Sequence, residues 1–134
     1  MKIETRGKYC LLLFLLIVSC FPEHKEIYFE KETLKIGYCN DAERIDRINI
    51  SIRSLNSSDR FKWIETIQLI DNKEGKNYIY LTKPNQNYEG YLKQINANSE
   101  YRLNLPFSDI SSFIVFQTDE NARIFNIQND FSCK

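Results

Sequence analysis

The chain has 134 residues, 18 Lys and Arg against 18 Asp and Glu, four Cys and a single His. That length fits one domain, and the basic residues stand singly among acidic ones, without the clustered stripe that phosphate binding requires, so nucleic acid is not an expected partner. The lone histidine, His24, lies in a short polar stretch ahead of the first strand signal, which excludes a Ser-His-Asp or Cys-His site inside the domain.

In chain order, Lys2, Arg6 and Lys8 precede an apolar run from Leu11 to Val18. That run is far short of the ~20 residues that span hydrocarbon as a helix, so it reads as an export signal rather than an anchor. The segment Ile17-Val18-Ser19-Cys20 then resembles the lipobox of bacterial lipoproteins, with an aliphatic residue three before the cysteine and a small residue just before it. The resemblance implies cleavage ahead of Cys20, a diacylglyceryl thioether on its sulfur and usually an acylated amine. Two or three chains at about 0.8 kcal/mol per buried methylene make a durable anchor. The alternatives are an ordinary cleaved secretory signal, with Cys20 incidental, and a signal anchor kept uncut.

The expected division is a signal peptide over residues 1–19, a lipidated tether over 20–25 and a β domain over 26–134. Removing residues 1–19 leaves 134 − 19 = 115 residues, with 18 − 3 = 15 basic against 18 − 1 = 17 acidic side chains. Phe21 is not the aspartate that favours inner-membrane retention in enteric-type lipoproteins. The resemblance therefore implies placement in the cell envelope, on the outer membrane of a cell that has two.

Beyond Cys20 only Cys39 and Cys133 remain. An exported even pair is expected to form a disulfide, and neither has a His or second Cys at metal-ligand spacing. Closing a loop of this size contributes about 4–5 kcal/mol in the chain-entropy model.

The body alternates apolar and polar residues with the period of strands. Ile27 and Phe29 oppose Tyr28 and Glu30; Leu34, Ile36 and Tyr38 oppose Lys35 and Gly37; Ile48, Ile50 and Ile52 interleave with Asn49, Ser51 and Arg53. Phe61–Ile70 carries Trp63, Ile67 and Ile70 at a spacing a helix would also allow. The turn Asp71–Lys76 and the β-rich Tyr78–Leu81 make a hairpin the simpler expectation. Tyr88–Ile95, Tyr101–Leu105, Phe113–Phe116 and Ile124–Ile127 are further strands, the third apolar on both faces as a central strand should be. This succession predicts an all-β fold, a single antiparallel β-sandwich of the immunoglobulin or fibronectin type III kind.

Ile95-Asn96-Ala97-Asn98-Ser99-Glu100-Tyr101-Arg102-Leu103-Asn104-Leu105 resembles the tyrosine corner of fibronectin type III domains. The resemblance implies that the Tyr101 hydroxyl bonds back to the backbone, that Ile95 caps the core and that Phe113–Thr118 forms the last strand of the unit. It leaves Ala122–Phe131 as an addition.

No catalytic constellation is legible, and no cofactor is expected. The glycines are too far apart for a phosphate loop, and Asp71–Gly75 has Lys73 where a calcium ligand would be wanted. The expectation is a non-catalytic protein, bound to a membrane through its lipid and holding a protein partner, for which an inhibitor or immunity protein is one precedent. A structural or assembly subunit of a surface complex is the alternative. Tyr78, Tyr80, Tyr88 and Tyr91, set among amides such as Asn77 and Asn87, are the candidate contact residues, since tyrosine combines apolar area with a polar tip.

Overall fold

The computed structural model describes residues 26–107, 110–128 and 133. Cys20 and the leader, on which the export and lipidation expectations rest, lie outside the described residues. Among those described the chain forms β1 (Ile27–Glu30), β2 (Lys35–Tyr38), β3 (Arg47–Ser54), β4 (Lys62–Leu69), β5 (Tyr78–Tyr80), β6 (Tyr88–Glu89), β7 (Ser99–Phe107), β8 (Ile110–Thr118) and β9 (Ile124–Gln128), with no helix. Every pairing is antiparallel, in a three-stranded sheet of order β1-β2-β5 and a six-stranded sheet of order β6-β4-β3-β7-β8-β9.

The sheets pack as a β-sandwich because each strand presents one apolar row inward. Ile27, Phe29, Ile36, Tyr38 and Ile79 from the small sheet meet Ile48, Ile50, Ile67, Tyr101, Leu103, Leu105, Ile114 and Phe116 from the large one in one buried cluster. The two sheets are joined by a column of rings. Phe29 stacks on Phe116 with centroids 5.2 Å apart, and Phe116 stacks on Tyr101 at 5.0 Å. Burying one such aliphatic or aromatic side chain contributes about 1.5–3 kcal/mol, so this interior row supplies most of the driving force.

Two connections differ from the hairpin reading. The segment Phe61–Ile70 does hold a strand, but β4 lies between β6 and β3, whereas β5 pairs with β2 in the opposite sheet. Residues 70–77 are long enough to cross the roughly 10 Å between sheets. They are fastened on the way: Ile45 N donates to Lys76 O at 2.8 Å and Tyr38 N to Asn77 O at 2.9 Å. The second difference is that Tyr88–Ile95 pairs only over Tyr88–Glu89. The ladder stops at Gly90, whose φ is +88° and where a Cβ would lie 2.2 Å from Thr66 O.

The Tyr101 hydroxyl bonds back to the backbone of the preceding loop. Asn96 N donates to Tyr101 Oη at 2.7 Å, and the Asn96 carbonyl accepts from Thr118 Oγ1, also at 2.7 Å. Ile95 is half-buried against the core. Burial raises the pKa of Tyr101, partly offset by the Asn96 amide.

The antiparallel ladders give the sandwich two poles. Glu26 lies beside Cys39, whose N–H donates to Glu26 O at 2.9 Å, and the expected disulfide joins Cys39 to Cys133, with Cα atoms 5.4 Å apart across 94 residues. The β1–β2 turn, the corner at residues 95–98 and the β8–β9 turn lie at the other end, where Asn98 N donates to Asp119 O. A strand of eight residues such as β3 puts the two poles about 25 Å apart at roughly 3.3 Å per residue.

Candidate interaction surface

The outward face of the three-stranded sheet collects the residues best suited to contact. Its register places Tyr28, Gly37 and Tyr78 in one cross-strand row and Glu30, Lys35 and Tyr80 in the next. Gly37 has a specific reason to lack a side chain. A Cβ there would lie 2.8 Å from Tyr28 Oη and 2.8 Å from Asn77 O, so the Tyr28 ring occupies the place a side chain would fill.

The rings and two lysines form one cluster. Tyr78 and Tyr80 meet edge to face at 5.8 Å. The Lys35 ammonium sits 4.4 Å from the Tyr78 centroid and 5.6 Å from that of Tyr28, and Lys83 sits 4.6 Å above Tyr80. Contacts of this kind contribute about 0.5–1 kcal/mol at exposed sites and hold the flexible lysines in place. Desolvation works against the Lys35 charge, but the Tyr28 phenol, with Glu30 and Tyr80, outweighs it and raises the lysine pKa. The surface thus offers phenol rings fixed by strands, with ammonium and hydroxyl donors held beside them.

Of the four tyrosines expected to make contacts, the structure brings two together. Tyr78 is exposed and Tyr80 half-buried within the cluster. Tyr91 is half-buried beyond β6, and among the described residues no ring contact links it to that pair. Tyr88 is not a surface residue. It is 4% exposed, and its Oη donates to Ile45 O at 2.5 Å and accepts from Lys76 N at 2.8 Å. It therefore ties two loops to the core, and burial raises its pKa against the opposing effect of the Lys76 amide.

Sequence reading missed Tyr28, Lys35 and Lys83. Tyr28 had the signal of an outward strand position, but only the β1-β2-β5 pairing carries it across Gly37 to Tyr78.

The outer face of the six-stranded sheet is the second exposed surface. Trp63 is 60% exposed, Phe125 56% and Phe113 37%, with the Arg102 guanidinium 4.6 Å over the Phe113 ring. Between them runs a polar ladder. Arg53 is ion-paired to Glu100, Gln117 donates to Glu100 at 2.6 Å, and Asn126 donates to Gln117 at 3.3 Å.

No family model matches the chain, and no curated protein or solved structure does either.

Proposed function

We propose that this is a lipid-anchored, non-catalytic binding protein of the bacterial envelope, which holds a protein partner on the Tyr28–Tyr78–Tyr80 face of its small sheet. The observation that carries the reading is the cluster itself: three tyrosines on paired strands, with Lys35 and Lys83 fixed on their rings. Rigid tyrosines give contact area at low entropic cost, which is why binding surfaces are rich in them. The lipobox-like Ile17–Cys20 supports tethering through Cys20, and the disulfide is consistent with export to an oxidising compartment. We infer also that the sandwich is of the fibronectin type III kind. The order β1-β2-β5 against β4-β3-β7-β8 and the Tyr101 corner support this, with β6 and β9 added at the two edges.

The test uses the full-length protein recovered from its host. Intact mass should show acyl chains on Cys20 and loss of residues 1–19. Crosslinked capture should yield one partner in stoichiometric amount, lost with Tyr78→Ala/Tyr80→Ala while the far-ultraviolet spectrum is unchanged. An unmodified Cys20, or a partner retained by the double variant, refutes the corresponding half of the proposal.

The alternative, a subunit of a surface assembly, is favoured by one observation, the aromatic side chains Trp63, Phe113 and Phe125 on the larger sheet. Under that reading the protein self-associates in sedimentation, and Trp63→Ser/Phe125→Ser abolishes the association.

A further inference from the structure

We propose that the cleft at the pole far from Glu26 is a binding site for a small aliphatic group that ends in one carboxylate. The cleft has a volume of about 290 Å³ and is built from three connections drawn from both sheets. The β1–β2 turn contributes Lys31, Glu32 and Leu34, the loop before β7 contributes Ile95, and the β8–β9 turn with the start of β9 contributes Ala122, Arg123 and Ile124.

The lining divides by chemistry. Leu34, Ile95 and Ile124 are half-buried against the core and form an apolar floor. Lys31 and Arg123 are exposed, and among the described residues neither has an ion-pair partner. Glu32 is the one carboxylate in the lining, so two cations less one anion leave a single positive charge. That balance suits a monocarboxylate better than a polyanion, and the volume, at the small end of the ~300–1,000 Å³ of ligand pockets, suits a short chain.

A second observation points to the same place. Among the described residues five non-glycine positions have positive φ. Asn56, Asn72 and Asn98 belong to a residue type that tolerates this conformation. The two that do not are Leu34 (φ 55°) and Ala122 (φ 60°), and both line this cleft. Backbone held in unfavourable conformations gathers at ligand clamps. Here it turns two facing hairpins so that their apolar side chains share one floor. The site is separate from the tyrosine face and does not depend on it.

Two sources share this chemistry, a free carboxylic acid and the C-terminus of an apolar peptide. Methyl-labelled full-length protein in lipid nanodiscs is titrated with hexanoate and with N-acetyl-leucyl-leucine, and in parallel with hexanol and N-acetyl-leucyl-leucinamide, which lack the carboxylate. At least one carboxylate is expected to shift the methyls of Leu34, Ile95, Ala122 and Ile124 while leaving Ile45, at the other pole, unmoved. The one that binds tighter identifies the source. Neutral analogues should bind at least about tenfold more weakly, and Lys31→Glu/Arg123→Glu should weaken the carboxylate by about tenfold or more, since each charge-assisted contact is worth that order. No shift at these methyls with either carboxylate, equal binding of the neutral analogues, or unchanged affinity in the double variant each overturns the proposal. An Ile45 methyl at its native position shows that the variant is folded.

Discussion

Tyr101→Phe isolates a single hydroxyl. The ring is fully buried and stacks on Phe116 at 5.0 Å, and phenylalanine keeps both properties. What disappears is the acceptor 2.7 Å from Asn96 N, at the loop that leads into β7. Losing a hydrogen bond with burial of the orphaned partner costs about 1–3 kcal/mol. The bond is only part-buried, so water can partly replace the lost acceptor and the cost falls to about 1–2 kcal/mol. With a urea dependence of about 2 kcal/mol per molar, the middle of the range for small proteins, the midpoint should fall by roughly 0.5–1 M at unchanged slope. Tyr101→Leu also removes the ring from the Phe29–Phe116–Tyr101 column and should cost a further ~1–3 kcal/mol. Circular dichroism in urea measures both. If Tyr101→Phe unfolds at the wild-type midpoint while Tyr101→Leu is strongly destabilised, the corner bond contributes nothing and the ring alone holds the loop.

Three further outcomes follow from the same structure. Replacing Cys39 and Cys133 by Ala opens a span of 94 residues, and equilibrium unfolding should show a loss of about 4–5 kcal/mol; a loss under ~1 kcal/mol would mean that the unfolded chain is already compact. Ala122→Gly relieves a φ of 60° and should raise stability by about 0.5–1 kcal/mol, although it removes a side chain; an unchanged or lowered thermal midpoint contradicts the strain reading. Burial pushes the pKa of Tyr38 up to about 12, with the charges of Glu43 and Asp46 adding to it, and burial also raises Tyr88 and Tyr101. Each binds its proton more tightly folded than unfolded, so their contribution is full below about pH 10 and is lost as pH rises toward the folded values. Tyr38→Phe should flatten that alkaline decline by roughly 2–3 kcal/mol in denaturant titrations, and a wild-type decline in the variant would refute the assignment.

Much of the fold was legible because strands announce themselves locally. The three isoleucines Ile48, Ile50 and Ile52 alternate with polar residues, and β3 covers them all. The alternation of Tyr101-Arg102-Leu103-Asn104-Leu105 located β7, and Tyr101 bonds back to the backbone at Asn96. The even number of cysteines beyond Cys20 pointed to the disulfide. Each of these depends on period, spacing or count, which the chain carries within a short window or in its composition.

Pairing was a different matter. That β5 leaves β4 for β2, that Tyr88 goes to the core while Tyr28 joins Tyr78 across Gly37, and that the β1–β2 and β8–β9 turns meet in one cleft all depend on which sheet each strand enters. A tyrosine between polar neighbours looks the same in sequence whether its hydroxyl faces solvent or reaches buried carbonyls. Only the packing of two sheets around one shared interior decides which of those it does, because burial is a property of the partners a residue meets and not of its own neighbours along the chain.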